Sequence, residues 1–267
     1  MLILGIDTST TQGSIALLQS DESQESEGAQ GEEASTVELA MLGEGRASEV
    51  LVGAIAALLE RHGVEKSRLS LIAVASGPGS FTGLRVALAT AKGLAEAFAI
   101  PVVPVSVLEA LALSSGVRGR VVAALDAQRA ELFFGEYIVG EYIVSESVLG
   151  NSMVGEFIGD AAPAPTAERL REGIAALEDF VSALASDPPL RVVTPDPSLA
   201  AFLRERAVGI AQDVFVISHP NAQDIGRIAY RKFLTGCRTD VAALDANYLR
   251  RSDAEIVAAR KPRGFDR

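Results

Sequence analysis

The stretch LSLIAVAS-GPGSFTG-LRVALATAKGLAEAFA, residues 69–99, constrains the fold more than any other part of the chain. A largely apolar run reads as a buried strand over 69–76, and the segment after it has helical spacing from Leu84 to Ala99. Between them lie three glycines and a proline, residues 77–83. A strand entering a helix through so short a glycine turn belongs to an α/β layer rather than to a bundle or an all-β sandwich. The glycines read as a tight strand-to-helix turn that needs positive φ and close packing.

The neighbouring segments extend that layer. Met1 to Ile6 reads as a strand, Gly13 to Leu18 as a second and Thr36 to Leu42 as a third, the last two forming a hairpin. Ser48 is placed to cap a helix that runs to His62, with Gly63 as its stop. Pro101 and Pro104 flank a short strand, and a helix follows from Val107. The resulting order, β-β-β-α-β-α-β, predicts a mixed sheet with helices packed on it. A second sheet begins with strands at Arg120–Leu125 and Ala130–Val139, joined by a turn at Asp126–Arg129. Further on, the pattern predicts a helix over Ala167–Ala185, a strand over 191–195, a helix over Leu199–Arg206 and an amphipathic helix over Asn221–Leu234.

Composition sets limits on function. The formal charge is −11, and six acids without a base fall between Asp21 and Ser35. That segment reads as a disordered loop within the hairpin. Such a charge repels phosphate backbones, so any contact with a nucleic acid is expected to come mostly through a partner. Cys237 is the only cysteine, which fits a reducing compartment and excludes an intrachain disulfide. The chain offers two histidines, His62 and His219, far apart and in no metal-binding spacing. The N-terminus lacks a basic region before its apolar stretch and reads as a strand rather than a leader. No segment supplies the ~18 uncharged apolar residues of a membrane span. A cytoplasmic protein that avoids membranes is the expectation.

Two segments could carry chemistry. GIDTST, residues 5–10, ends a strand in Asp7 and continues with Thr8, Ser9 and Thr10. An Asp at a strand end followed by hydroxyls resembles the first phosphate loop of the actin/hexokinase/Hsp70 superfamily, although Ser9 stands where glycine is expected. The alternative is an ordinary hydroxyl-rich turn. The GPGSFTG loop, with Gly79 and Ser80, could offer backbone N–H groups to an anion at a helix start. It is neither a P-loop nor a nucleophile elbow, because it lacks the Lys-Ser/Thr pair and the G-x-S-x-G spacing. Ser80 and Cys237 have no evident catalytic base. Asp126 and Arg129 read as a turn residue and a solvated charge. No catalytic residue, metal ligand or cofactor is expected. Any nucleotide contact would fall to Asp7, Thr8, Ser9, Thr10, Gly79 and Ser80.

Taken together, GIDTST, ASGPGSFTGLRVALATAKGLA, LDAQRAEL and YLRRSDAE resemble the bacterial TsaB (YeaZ) family. The likeness covers most of the chain, fails at 21–35 and is vague at 155–215. Two positions depart from the family pattern. Ala47-Ser48-Glu49 stands where His-Ser-Glu is frequent, and Arg129 stands one place later than the family's Asp-Ala-Arg turn. The resemblance implies the two-lobed actin-like ATPase (ASKHA, RNase H-like) fold, with mixed sheets flanked by helices. It implies an N-terminal lobe over 1–106, completed by the helix at 221–236. A C-terminal lobe then covers 107–220, and a terminal segment with a basic tail covers 237–267. It further implies a non-catalytic subunit required for threonylcarbamoyladenosine (t6A) formation beside the anticodon of tRNAs that read codons beginning with A. Its partners would be a TsaD-like paralogue that performs the transfer and a TsaE-like ATPase. It would form a homodimer when alone and meet tRNA indirectly.

Two other functions share the fold or its history. An ATP-dependent small-molecule kinase would need a second, Asp-Gly-Gly type phosphate loop, which is not found between Arg120 and Asp240. A metalloprotease would need clustered histidines. For the subunit reading, the expected working surface is the pair of helices at 48–62 and 84–99. The residues expected in contact are Val50, Ala54, Leu58, Arg85, Leu88, Ala91, Lys92 and Ala95.

Overall fold

The computed structural model describes residues 1–20, 34–140, 166–185, 190–206, 211–247 and 249. The acidic insertion, for which 21–35 is the predicted range, lies outside the described residues as far as 33, as do the tail residues Arg260, Lys261, Arg263 and Arg267.

The first sheet has the order β3-β2-β1-β4-β5. It is built from β1 (Leu2–Asp7), β2 (Ser14–Gln19), β3 (Ser35–Met41), β4 (Leu71–Gly77) and β5 (Val102–Ser106). β1 sits at the centre, antiparallel to β2 and parallel to β4. Its residues from Ile3 to Asp7 are all buried, as a strand covered on both faces must be. Helices α1 (Ala47–Arg61) and α2 (Phe81–Phe98) cover one face of this sheet. Their buried stripes, Leu51, Ile55, Leu58 and Leu59 on α1 and Ala87, Leu88, Ala91 and Ala95 on α2, join one core with Leu4, Ile6 and Val74.

The second sheet has the order β10-β9-β6-β7-β8. Its strands are β6 (Gly119–Asp126), β7 (Glu131–Gly140), β8 (Thr166–Ala176), β9 (Leu190–Thr194) and β10 (Ala211–Val216). Helices α4 (Leu177–Ala185) and α5 (Pro197–Arg206) follow β8 and β9, and Phe180, Val181, Leu199 and Leu203 pack on its outer face. Between the two sheets lies a shared core, with α3 (Val107–Ser114) at the junction and α6 (Ala222–Leu234) beside it. α6 seats on the first sheet. A Cβ on Gly5 would meet the Ala222 carbonyl oxygen at 2.2 Å, and Ala222 N–H donates to Ser14 Oγ at 2.9 Å. Asn221 and Asp224 close its N-terminus with a capping box.

The structure corrects several expectations. Residues 166–176 form a strand, and only 177–185 are helical, where a single helix over Ala167–Ala185 is predicted. The Ala/Glu/Arg-rich composition favours helix. However, β7 presents ten residues of edge, and pairing with it satisfies the backbone of both segments. β10 carries no prediction at all. Ser48 does not cap α1: Arg46 occupies the N-cap position and contributes no side-chain hydrogen bond. α2 begins three residues before Leu84, at Phe81, because Ser80 Oγ accepts the Gly83 N–H and caps it there.

Candidate functional site

A cleft of about 1010 Å³ opens between the two sheets. The ends of β1 and β4 supply one wall through Ser9, Thr10, Gly79 and Ser80. Opposite them stand Asp126 to Arg129, then Asp196 and His219, with Asn247 and Leu249 from the C-terminal segment.

The first wall is two loops locked together. Ser80 N–H donates to the Ser9 carbonyl at 2.7 Å, and Thr8 Oγ1 donates to the Gly83 carbonyl at 2.7 Å. A Cβ on Gly79 would stand 2.4 Å from Ser9 O, and one on Gly83 would stand 2.0 Å from Thr8 O. These two glycines are therefore required by backbone meeting backbone. Asp7 lies behind the wall and does not line the cleft. Its Oδ1 accepts the Ser9 N–H at 2.9 Å, so the carboxylate holds the turn. Burial pushes the Asp7 carboxyl above its ordinary value, against the hydrogen bonds from Ser9 that pull it down. Of the six candidate nucleotide contacts, Ser9, Thr10, Gly79 and Ser80 reach the cleft, while Asp7 and Thr8 are consumed in building it.

The opposite wall carries a feature the sequence did not announce. Gln128, Arg129 and Ala130 have φ of 63°, 61° and 57°, three non-glycine residues in a row in the left-handed region. Each such residue costs about 1–2 kcal/mol. Asp126 holds the turn, its Oδ1 accepting the Gln128 N–H at 2.8 Å and its Oδ2 the Gln128 side-chain amide at 2.6 Å. Asp126 is thus the turn residue expected. The expected solvated Arg129 lies in a strained turn on the cleft wall. His219 also lines the cleft, with Nδ1 2.9 Å from the Pro220 carbonyl, whereas His62 is not among the cleft's lining residues and pairs with Glu38 on the surface.

The residues predicted for the partner surface divide. Leu58, Leu88, Ala91 and Ala95 are buried inside the chain, at 5 % exposure or less, and cannot be reached by another molecule. Their spacing is the core-facing stripe of each helix, which the sequence could not tell from an outer one. Arg85 is exposed, its guanidinium 3.7 Å over the Phe81 ring, and Val50, Ala54 and Lys92 are half-buried. Lys92 Nζ lies 3.5 Å from the Ala242 carbonyl. The positions of α1 and α2 that do face outward include Val52, Gly53 and Ala57, and Ala89, Gly93 and Ala97.

No group of His, Cys, Asp or Glu among the described residues is arranged to hold a metal ion, and no described helix is long and apolar enough to cross a membrane.

Comparison with known proteins bears on this architecture. Residues 44–256 match the family described as TsaD, tRNA N6-adenosine threonylcarbamoyltransferase. The chain is 28% identical to the tRNA threonylcarbamoyladenosine biosynthesis protein TsaB of Haemophilus influenzae, over 94% of each chain. It is 35% identical to the TsaB of Escherichia coli over 30% of this chain and 36% of that one. A Pseudomonas aeruginosa crystal structure, described as an uncharacterized protein with similarity to the peptidase YeaZ, superposes with a TM-score of 0.65 at 24% identity. That superposition covers 93% of this chain and 99% of that one, and it supports the two-lobed actin-like fold. The chain belongs to the family described as TsaD, tRNA N6-adenosine threonylcarbamoyltransferase, and the relatives it is similar to over most of its length are TsaB (YeaZ) proteins.

Proposed function

We propose that this chain is a non-catalytic partner subunit in the biosynthesis of t6A in tRNA, working in the cytoplasm. On this reading a TsaD-type transferase carries out the threonylcarbamoyl transfer and a TsaE-type ATPase acts in the same assembly. The chain engages the transferase, or a second copy of itself when alone, through the outward face of α1 and α2. The net charge of −11 leaves most of the contact with tRNA to the partner.

What supports the surface is the pair of glycines Gly53 and Gly93. Each sits inside a helix, where glycine costs about 1 kcal/mol relative to alanine. A Cβ at either position would meet nothing within 4 Å, so nothing among the described residues calls for them. Both face outward, beside Val52 at 67 % exposure and near Ala57, Ala89 and Ala97. A second pair of helices crossing at the close end of the usual range, about 8 Å, would call for small residues there.

The test is reconstitution with purified chain, transferase, ATPase and tRNA, reading t6A by mass spectrometry and assembly by light scattering. Gly93→Arg puts bulk and charge on an open position, so the fold is retained by circular dichroism. Affinity for the transferase and for itself falls by about two decades or more, and t6A is lost. Asp7→Asn keeps the turn's acceptor and supports t6A at close to the wild-type level. Unchanged assembly by Gly93→Arg would show that the surface lies elsewhere. Loss of t6A by Asp7→Asn, with fold and assembly intact, would sink the non-catalytic reading.

A further inference from the structure

After α6 the chain turns at Gly236 and crosses to the α2 side of the first sheet. Leu244 and Ala246 are buried there, in the same core as Ala87, Leu88 and Ala91. Asn247 N–H donates to the Ser76 carbonyl near the end of β4 at 2.7 Å. The Asn247 side chain then reaches across to the second sheet, its Nδ2 donating to Glu172 Oε2 at 2.6 Å.

Glu172 is an unusual residue for a strand edge. Its side chain is only 4 % exposed. Oε1 accepts the Ser106 hydroxyl at 2.6 Å and also the Tyr137 phenol, and Arg169 Nη1 lies 3.6 Å from Oε2. A carboxylate withdrawn from water is tolerated only when its lone pairs are filled by donors, and hydrogen bonds to an ionised group are the stronger kind. The donors come from separate parts of the molecule: Ser106 from the end of β5, Tyr137 from β7 and Asn247 from the C-terminal segment. Burial, followed by the adjacent Glu172 charge, pushes the Tyr137 phenol above its ordinary value, so it stays a donor.

We propose that residues 240–247 form a strap latched by the Asn247–Glu172 hydrogen bond, and that this latch sets the width of the cleft between the two sheets. The strap is tied to the first sheet by its backbone and by buried Leu244 and Ala246, and to Glu172 of the second by the Asn247 side chain. Asn247 also lines the cleft, so the contact that joins the sheets is part of the cleft wall. Ser106, at the end of β5, is the donor from the first sheet itself, and it reaches Glu172 without the strap. The two donors can therefore be removed separately. The inference is independent of any partner.

The test is hydrogen exchange by mass spectrometry on the full chain. Asn247→Ala removes the donor, and Asn247→Asp sets a carboxylate against Glu172. Amides of 240–247 should exchange about tenfold faster or more in both, as the loss of a hydrogen bond to a charged group implies, while β1 and β4 stay protected. Ser106→Ala should leave strap exchange within about twofold of wild type, because the strap's own contact remains. For the cleft, spin labels on Thr10→Cys and Gln128→Cys, in a Cys237→Ser background, should report a broader and longer distance distribution when Asn247→Asp is added. Wild-type strap protection in a folded Asn247→Ala protein would overturn the latch. An unchanged label distance beside a loosened strap would overturn its control of the cleft.

Discussion

The glycines of α2 and its entry loop fall into two kinds. Gly79 and Gly83 face the first loop, where an added Cβ would stand 2.4 and 2.0 Å from carbonyl oxygens. Gly93, two to three turns further along the same helix, faces open space, as does Gly53 on α1. The first pair is accounted for by the chain's own packing. The second pair costs helix stability, and no contact among the described residues offsets it. On the proposed function, the open positions are where a second molecule would pack.

The largest effect is expected at the first kind. Gly83→Ala drives a methyl into the Thr8 carbonyl, with backbone on both sides of the clash, and neither loop can move without breaking the Thr8–Gly83 and Ser80–Ser9 hydrogen bonds. A loss of about 3 kcal/mol in urea unfolding is expected. If Gly83→Ala unfolds at the wild-type midpoint, the two glycine classes are not distinct.

Gly93→Ala and Gly53→Ala should do the opposite on a smaller scale. Each gains about 0.5–1 kcal/mol of stability in the isolated chain, because alanine restores helix propensity into empty space. Each also weakens self-association or transferase binding in light scattering, since the methyl occupies the closest approach of a crossing helix. A rise in stability with no change in assembly would leave these glycines unexplained by any contact.

The same contrast marks what could be read from the sequence. The first sheet was legible because its strands are apolar runs closed by turn residues, and GPGSFTG read as a strand-to-helix turn whether or not it also meets an anion. The second sheet was less so. Residues 166–176 are rich in helix formers, and only β7, distant in sequence, decides that they extend. Among site residues, the Ser9–Ser80 wall was visible as loops. The left-handed turn at Gln128–Ala130 was not, because no Gly or Asn signals it. Glu172 and Asn247 looked like ordinary polar residues, and their burial follows from how three remote segments meet. Helical periodicity found the apolar stripes of α1 and α2 but could not say which way they face. As a result, Leu58, Leu88, Ala91 and Ala95 were expected outside and lie inside.

The smallest effect concerns whether α1 holds its place without help from outside. Glu38 on β3 accepts hydrogen bonds from Arg61, at the end of α1, and pairs with His62 Nε2 at 2.7 Å. The hydrogen bond from Arg61, then that of His62, holds the Glu38 carboxyl below its ordinary value. A depressed carboxyl stabilises the fold above its unfolded pKa, and that contribution is lost as pH falls through the folded value. The pair is solvent-exposed, so its weight is small. Glu38→Gln should lower Tm by only about 1 °C at pH 7, and the difference from wild type should shrink as pH falls through the lowered value of the folded carboxyl, because both side chains are then neutral. Transferase binding should be unchanged, because the buried residues Leu51, Ile55, Leu58 and Leu59 already fix the helix on the sheet. If Glu38→Gln instead abolishes binding while Tm barely moves, α1 is seated by this surface cluster rather than by its core stripe. The outward position of Gly53 would then depend on that cluster.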